Sequence, residues 1–186
     1  IHQILKKKRN SDSLASEKYS MSLGIKQRKQ IRLKNYDYSQ HNAYFITICV
    51  NHRKCILSNI IEDQTHLSHQ GKIIEKQWLW LAKYYPYVSL NEYVIMPNHF
   101  HGIVVIENKM INKKRYSLSQ LICAFKTTSA KAINKFQNSA GKQFWQRSYH
   151  ERVIRNEEEL GKIQEYIINN PLQWAIDEEN PQLLKY

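Results

Sequence analysis

The segment YVIMPNHFHGIVVI, residues 93–106, constrains the fold of this chain more than any other stretch. Apolar and β-branched residues dominate it, and such residues favour β-strands. Pro97 and Asn98 interrupt the run, as is typical of a turn. The segment therefore predicts two strands, over 91–96 and 99–106, joined by a short hairpin connection.

Two histidines occupy the second of these strands, where valine or isoleucine would pack without a polar cost. Side chains alternate between the faces of a strand, so His99 and His101 point to one face and Phe100 to the other. The two imidazoles then lie roughly 7 Å apart along the strand and can converge on one metal ion. Considered alone, two half-buried histidines in ordinary hydrogen bonds are the simpler explanation.

The other elements predicted from propensity and periodicity alternate around this pair. They are a strand over 43–50, a helix over 71–86 that Pro86 ends, a helix over 117–136, a strand over 143–154, and a helix over 156–171 that Asn156 caps and Pro171 ends. The resulting order, β–α–β–β–α–β–α, predicts an α+β fold in which helices cover an antiparallel sheet.

The formal net charge of +12 and the 12 tyrosines point to a polyanionic partner, most simply a nucleic acid. A basic protein without such a partner is the alternative. No apolar run reaches the length of a membrane span, and residues 1–20 lack the apolar core of a signal peptide. We expect a soluble intracellular protein without a membrane partner, whose cysteines (Cys49, Cys55 and Cys123) are reduced and mostly buried.

Tyr166 and Asn170 share one face of the last predicted helix because they are four residues apart. Each has an ordinary explanation, as an amphipathic tyrosine at the edge of the core and as a helix C-cap before Pro171. Together with the two histidines, they suggest a site for Mg²⁺ or Mn²⁺ that binds phosphate beside a phenol nucleophile. Attack of that phenol on a phosphodiester would form a phosphotyrosine.

These residues lie in a chain that resembles the REP-associated tyrosine transposases, insertion-sequence-type transposases in the single-tyrosine branch of the HUH endonuclease superfamily. The resemblance covers about residues 27–175. The matching stretches are YDYSQHNAYFITICVNHR, YVIMPNHFHGIVVI, SLSQLICAFKTTSAKAIN and FWQRSYHERVIRNEEELGKIQEYIINNPLQW.

The resemblance implies a ferredoxin-like or RRM-like α+β fold, with the histidines on a central strand and the tyrosine on the C-terminal helix. It implies that His99, His101 and Asn170 bind Mg²⁺ or Mn²⁺ and that Tyr166 attacks single-stranded DNA. The products would be a 5′-phosphotyrosyl intermediate and a free 3′-hydroxyl, and reversal would rejoin strands. Tyr149 is a second possible nucleophile, expected on a strand and without the helical partner.

Recognition of hairpin DNA would use cations that contact the nucleic-acid backbone. The candidates are Arg28, Lys29, Arg32 and Lys34 on an N-terminal arm, Lys131 and Lys135 on a helix, and Arg147, Arg152 and Arg155. A solvated surface charge is the ordinary explanation for each of them.

Three functions follow from this pattern. The first is metal-dependent cleavage and rejoining of single-stranded hairpin DNA, by a monomer or homodimer at the nucleoid of a prokaryotic cytoplasm. The second is a catalytically retired protein of the same fold that binds DNA or RNA hairpins. The third, a hydrolase that uses water, ranks last because no carboxylate adjoins the histidines in sequence. We expect a basic, disordered extension over 1–24, a transposase domain over 25–175 and a tail over 176–186.

Overall fold

A computed structural model describes residues 36–109, 115–177 and 180–181. These residues belong to one compact unit, Lys34–Tyr186. The basic extension predicted over 1–24 lies outside the described residues, so the domain limits stay predictions. Within the described ranges, no helix is long and apolar enough to cross a membrane.

The described chain contains six strands and three α-helices. The strands are β1 (Asn42–Cys49), β2 (Ser58–Ile61), β3 (Gln64–Leu67), β4 (Val88–Ile95), β5 (His99–Ile106) and β6 (His150–Ile154). The helices are α1 (His69–Tyr84), α2 (Leu118–Phe136) and α3 (Glu157–Gln173). This mixed architecture confirms the predicted α+β class.

β5 lies inside a four-stranded antiparallel sheet of order β4-β5-β1-β6. In its register with β1, His99 lies opposite Cys49 and His101 lies opposite Thr47. The predicted position of the two histidines on a central strand is therefore confirmed.

The two faces of this sheet have separate cores. On one face, which we call the α1/α2 face, α1 and α2 pack against the sheet around Trp78, Phe100 and Phe125. On the other, the α3 face, Ile103 packs against Ile167 of α3. Helices cover β5 on both faces, so the strand is buried along nearly its whole length, including its two histidines.

Gly102 directly follows His101, and the α1/α2 face leaves no room for a side chain at that position. A Cβ atom added there would lie 2.7 Å from the Trp78 ring and 2.9 Å from the Phe100 ring. The glycine thus lets the Trp78 ring lie against the strand that carries the histidines.

Two features differ from the sequence-based predictions. The sequence analysis did not predict the hairpin of β2 and β3. Its turn contains Glu62 and Asp63, both at positive φ, whereas asparagine and glycine are the residues typical of such turns. Of the strand predicted over 143–154, only the last five residues form β6. The segment before β6 is held instead by Lys126, whose ammonium donates hydrogen bonds to the backbone carbonyls of Gln146, Arg147 and Ser148.

Two smaller predictions were also wrong. Pro171 does not end α3, which continues to Gln173; Pro171 is buried, and its ring removes one backbone donor without preventing the final turn. Of the cysteines, only Cys49 is buried, whereas Cys55 and Cys123 are exposed.

Candidate active site

The two histidines lie side by side on the α3 face at the start of β5. His99 is 2% exposed and His101 is 5% exposed. Their ring centroids are 4.6 Å apart, and the Phe45 ring stacks on His101 at 5.3 Å. The alternation of the strand thus brings both imidazoles to one buried point, as the sequence predicted.

Each histidine is held through its Nδ1 atom by a neighbouring side chain. Nδ1 of His99 lies 2.7 Å from the Asn98 amide oxygen, and Nδ1 of His101 lies 2.8 Å from the Thr47 hydroxyl. An amide oxygen only accepts hydrogen bonds, so Nδ1 of His99 is the donor and its Nε2 keeps a lone pair. Such outer contacts fix the ring orientation of metal-binding histidines.

Helix α3 brings Tyr166 to the histidines and places Asn170 one turn later on the same helix. Ile163 and Ile167 anchor the helix in the core, and the Asn170 side chain is hydrogen-bonded to Tyr166. The Tyr166 hydroxyl lies 3.4 Å from Nε2 of His101, and its side chain is 44% exposed. Asn170 is 2% exposed, and its amide oxygen has no hydrogen-bond partner within the described part of the chain.

Burial keeps both imidazoles neutral. Desolvation lowers the pKa of His99 to about 4, although Asp177 opposes the shift. Desolvation and the neighbouring His99 hold the pKa of His101 well below its ordinary value. Both rings therefore offer lone pairs rather than positive charge at neutral pH.

The phenol of Tyr166 is harder to ionise than a free tyrosine. Its pKa is raised mainly by burial and also by Asp177, and a hydrogen bond with the Asn170 side chain acts in the opposite direction. A nucleophilic role for this phenol thus requires nearby positive charge.

The composition of the site fits a divalent cation. Two neutral imidazoles lie side by side next to the Tyr166 hydroxyl, to which the Asn170 side chain is bonded. The buried amide oxygen of Asn170 has no partner in the part of the chain that the structure describes, and such an acceptor is costly unless something binds it. Among the described residues, no group of three or more His, Cys, Asp or Glu side chains forms a metal cluster. Nitrogen and oxygen donors of this kind suit a borderline or hard ion such as Mn²⁺ or Mg²⁺.

A cleft of about 580 Å³ opens beside the Tyr166 ring. Three cations line it: Arg152, Arg155 and Lys162. Two of them pair with acids of the first turns of α3. The Arg152 guanidinium lies 2.6 Å from Glu159, and the Lys162 ammonium lies 2.5 Å from Glu158. Because Glu158 and Glu159 also line the cleft, its lining carries only a small excess of positive charge next to the phenol.

The other predicted DNA-binding cations are not at this cleft. Lys131 and Lys135 are exposed on α2, which covers the opposite face of the sheet, and Arg147 is exposed in the segment before β6. The four arm residues, Arg28, Lys29, Arg32 and Lys34, lie outside the described residues. The structure thus brings two of the nine predicted cations, Arg152 and Arg155, to the tyrosine.

Tyr149 lies away from the histidines. It precedes β6, packs against the core of the α1/α2 face, and has the Lys126 ammonium 5.9 Å from its ring centroid. The two tyrosines are therefore on opposite faces of the sheet, and Tyr166 alone of the pair adjoins the histidines.

The sequence analysis did not identify several residues at this site. Thr47 and Lys162 give no signal of their own, because a strand register and a cleft depend on tertiary packing. Asn98 directly precedes His99, and its place in the turn was the only available clue. Asp177, which acts electrostatically on His99 and Tyr166, follows α3 after a short 3-10 turn over Trp174–Ile176.

Comparison with known proteins identifies the fold and the family. A solved structure of a REP-associated tyrosine transposase bound to a REP hairpin resembles the chain with a TM-score of 0.57 and 20% identity. The match covers 78% of this chain and 74% of that one. A Haemophilus influenzae protein described only as uncharacterized is 35% identical over 169 residues, covering 83% of this chain and 94% of its own length.

The family model described as "Transposase IS200 like" matches residues 38–170. This range includes both histidines, Tyr166 and Asn170, together with every strand of the four-stranded sheet. The chain therefore belongs to the IS200-like transposase family.

Proposed function

We propose that this protein is a transposase that cleaves and rejoins hairpin-forming single-stranded DNA through a covalent bond between DNA and Tyr166. The observation that carries the proposal is the 3.4 Å separation between the Tyr166 hydroxyl and Nε2 of His101, with His99 beside His101 and Asn170 one helical turn from Tyr166. The neighbouring structure of a REP-associated transposase with its hairpin supports hairpin DNA as the substrate class.

In the proposed reaction, the Tyr166 oxygen loses its proton and attacks a backbone phosphorus. A bond forms between this oxygen and phosphorus, the bond from phosphorus to the 3′ oxygen breaks, and that oxygen takes up a proton as a 3′-hydroxyl. The product is a 5′-phosphotyrosine. Because one phosphoester replaces another, attack by a 3′-hydroxyl reverses the step and joins strands without an external energy source.

The residues of the site divide this work. His99, His101 and Asn170 would hold Mg²⁺ or Mn²⁺, which withdraws charge from phosphorus and stabilises negative charge that develops during attack. Arg152, Arg155 and Lys162 line the cleft beside the phenol, where they would bind the phosphates on either side of the attacked one. The divalent ion would supply the positive charge that ionisation of the phenol requires.

A covalent-adduct assay tests the nucleophile. Labelled single-stranded DNA hairpins are mixed with protein and Mn²⁺ or Mg²⁺, and a denaturing gel then detects DNA attached to protein. We expect the adduct with the wild type, its loss in Tyr166→Phe with DNA binding retained, and its persistence in the matched control Tyr149→Phe. An adduct that survives Tyr166→Phe would refute the assignment.

The same assay separates the other functions. His99→Ala and chelation with EDTA should each abolish the adduct while Tyr149→Phe stays active. Cleavage without an adduct would indicate a hydrolase that uses water. Hairpin binding without cleavage under any metal condition would indicate a retired binding protein.

A further inference from the structure

A second cleft, of about 530 Å³, lies away from Tyr166 and shares no lining residue with the first. We call it the amide pocket. Four side-chain amides and two lysines line it: Asn51, Asn134, Gln137, Gln143, Lys54 and Lys142. Its lining contains no aspartate or glutamate, and Val50, Ile56 and Phe144 form its apolar part. The pocket thus combines amides, positive charge and an apolar part in which Val50 and Phe144 are largely buried.

The amide pocket is tied to the turn that precedes His99. The backbone N–H of Val50 donates to the Asn98 carbonyl at 2.9 Å, and that of Ile56 donates to the Pro97 carbonyl at 2.9 Å. The N–H of Asn51 donates to the Phe144 carbonyl at 2.8 Å, which joins the two loops of the pocket. Since the Asn98 side chain also holds His99, the pocket lies at the metal-site end of β5.

Hydrogen bonds give the pocket a defined shape but leave part of its polar lining available. The Asn134 amide donates to the Lys142 carbonyl at 2.8 Å and accepts from the Ser139 hydroxyl at 3.3 Å, so it braces the loop after α2. The Gln137 side chain, in contrast, makes no hydrogen bond to any described residue, and neither does the Asn51 amide oxygen. These groups are exposed or half-exposed at the rim.

Both loops also hold their backbone in an uncommon conformation. His52 and Arg53 have φ values of 56° and 49°, and Asn138 has a φ of 48°. Left-handed φ values outside glycine are uncommon and cluster at ligand-binding and catalytic sites. Asn138 follows the C-cap of α2, where this conformation commonly ends a helix, whereas His52 and Arg53 hold it within the loop after β1.

We infer that the amide pocket binds one unpaired nucleobase of the substrate strand, an inference that rests on the proposed DNA substrate. The edge of a base presents adjacent donors and acceptors, and asparagine and glutamine amides match both at once. An apolar surface accommodates the ring, and Lys54 and Lys142 supply charge for the adjoining phosphates. Gln137 and Asn51 are the residues that read the base.

Selection from a randomised pool tests this inference. The pool consists of single-stranded hairpins with randomised unpaired flanks, and the Tyr166→Phe background reports binding without cleavage. We expect this protein to favour one base at one flank position. The Asn51→Ala/Gln137→Ala variant should lose about tenfold of that preference and keep its preferences elsewhere. Asn59→Ala/Gln77→Ala, which changes two amides outside the pocket lining, is the matched control.

Three results would overturn the inference: no base preference in the unpaired flanks, an unchanged preference in the pocket variant, or an equal fall at all positions. The last would indicate phosphate contacts alone. Melting temperatures of all variants check that the pocket variant is folded. An adduct that forms normally while the pocket variant selects like the control refutes this inference alone. A Gln137-dependent preference in a protein that forms no adduct refutes the cleavage mechanism alone.

Discussion

At the scale of single residues, each histidine of the site depends on one outer hydrogen bond from a different part of the chain. Asn98 holds His99 from the preceding turn, whereas Thr47 holds His101 from the neighbouring strand. Both contacts leave Nε2 as the atom directed to the site. The orientation of the rings is therefore a property of β1 and the turn as well as of β5.

Replacing Thr47 with valine should weaken the site without unfolding the protein. Valine keeps the shape and β propensity of threonine but removes the hydroxyl from Nδ1 of His101. We expect roughly a 10- to 100-fold loss in Mn²⁺ affinity or adduct formation, the usual cost of removing such an outer contact. Calorimetric titration with Mn²⁺ and the adduct assay measure it. Thr127→Val on α2 is the control, and equal metal binding in both variants would contradict the prediction.

Asn170 shows a conflict between stability and function. Its buried amide oxygen has no partner in the described structure, which costs folding free energy in the absence of a ligand. Asn170→Leu removes that cost together with a hydrogen bond to Tyr166. We expect the metal-free unfolding free energy to change by less than about 1 kcal/mol while Mn²⁺ binding is lost.

The matched control for Asn170→Leu is Asn169→Leu, which changes the adjacent, half-exposed amide. Chemical denaturation in EDTA and calorimetry with Mn²⁺ measure the two effects. Unaltered Mn²⁺ binding by Asn170→Leu would remove this residue from the proposed ligand set.

At the scale of elements, β5 must satisfy two layers at once. Its histidines face α3, while Phe100 and the space above Gly102 face α1 and α2. A substitution that alters packing on one face of β5 therefore also shifts the backbone that positions the side chains on the other face.

Gly102→Ala tests this connection. The new Cβ would meet the Trp78 and Phe100 rings at less than 3 Å, so we expect a loss of about 1–3 kcal/mol in unfolding free energy from overpacking. Gly161→Ala on α3 is the control with the opposite sign, because nothing lies near its Cβ position and alanine favours helix by roughly 0.5–1 kcal/mol. Denaturant titrations of both variants check the pair.

The elements were largely predictable from sequence because their signals are local. The alternation of β5 and the four-residue spacing of Tyr166 and Asn170 place their side chains correctly on one strand and one helix. A common site for the strand and helix residues was only suggested by the side-chain types, and the family resemblance then implied it. Thr47 could not be predicted, since the register of β1 against β5 is set by the packing of both faces.

At the scale of the whole molecule, positive charge is distributed unevenly. The net charge is +12, yet residues 156–186 contain 7 acidic residues against 2 basic ones. Two of those acids, Glu158 and Glu159, pair with cations of the cleft beside Tyr166. Acids on α3 thus hold basic side chains in place at the site where a phosphate would enter.

The salt dependence of DNA binding reports how many phosphates these cations contact. Arg155→Ala and Lys162→Ala should each reduce the slope of log affinity against log salt by about 0.7, the value for one phosphate of a single strand. Lys76→Ala, an exposed cation on α1, should leave the slope unchanged. Fluorescence anisotropy with Tyr166→Phe protein measures the slopes, and equal slopes for all three variants would exclude the cleft as a phosphate-binding surface.

Helix α3 carries both the phenol and the amide, one turn apart, on a single rigid segment. A displacement of that segment would withdraw the attacking group and one metal-binding group in the same motion, so the site cannot be half assembled. If subunits exchanged this helix, the phenol and the amide would pass to the neighbouring subunit together. In a mixed oligomer of a Tyr166 variant and an Asn170 variant, every site would then receive a helix with one defective residue, so exchange of the helix could not restore activity.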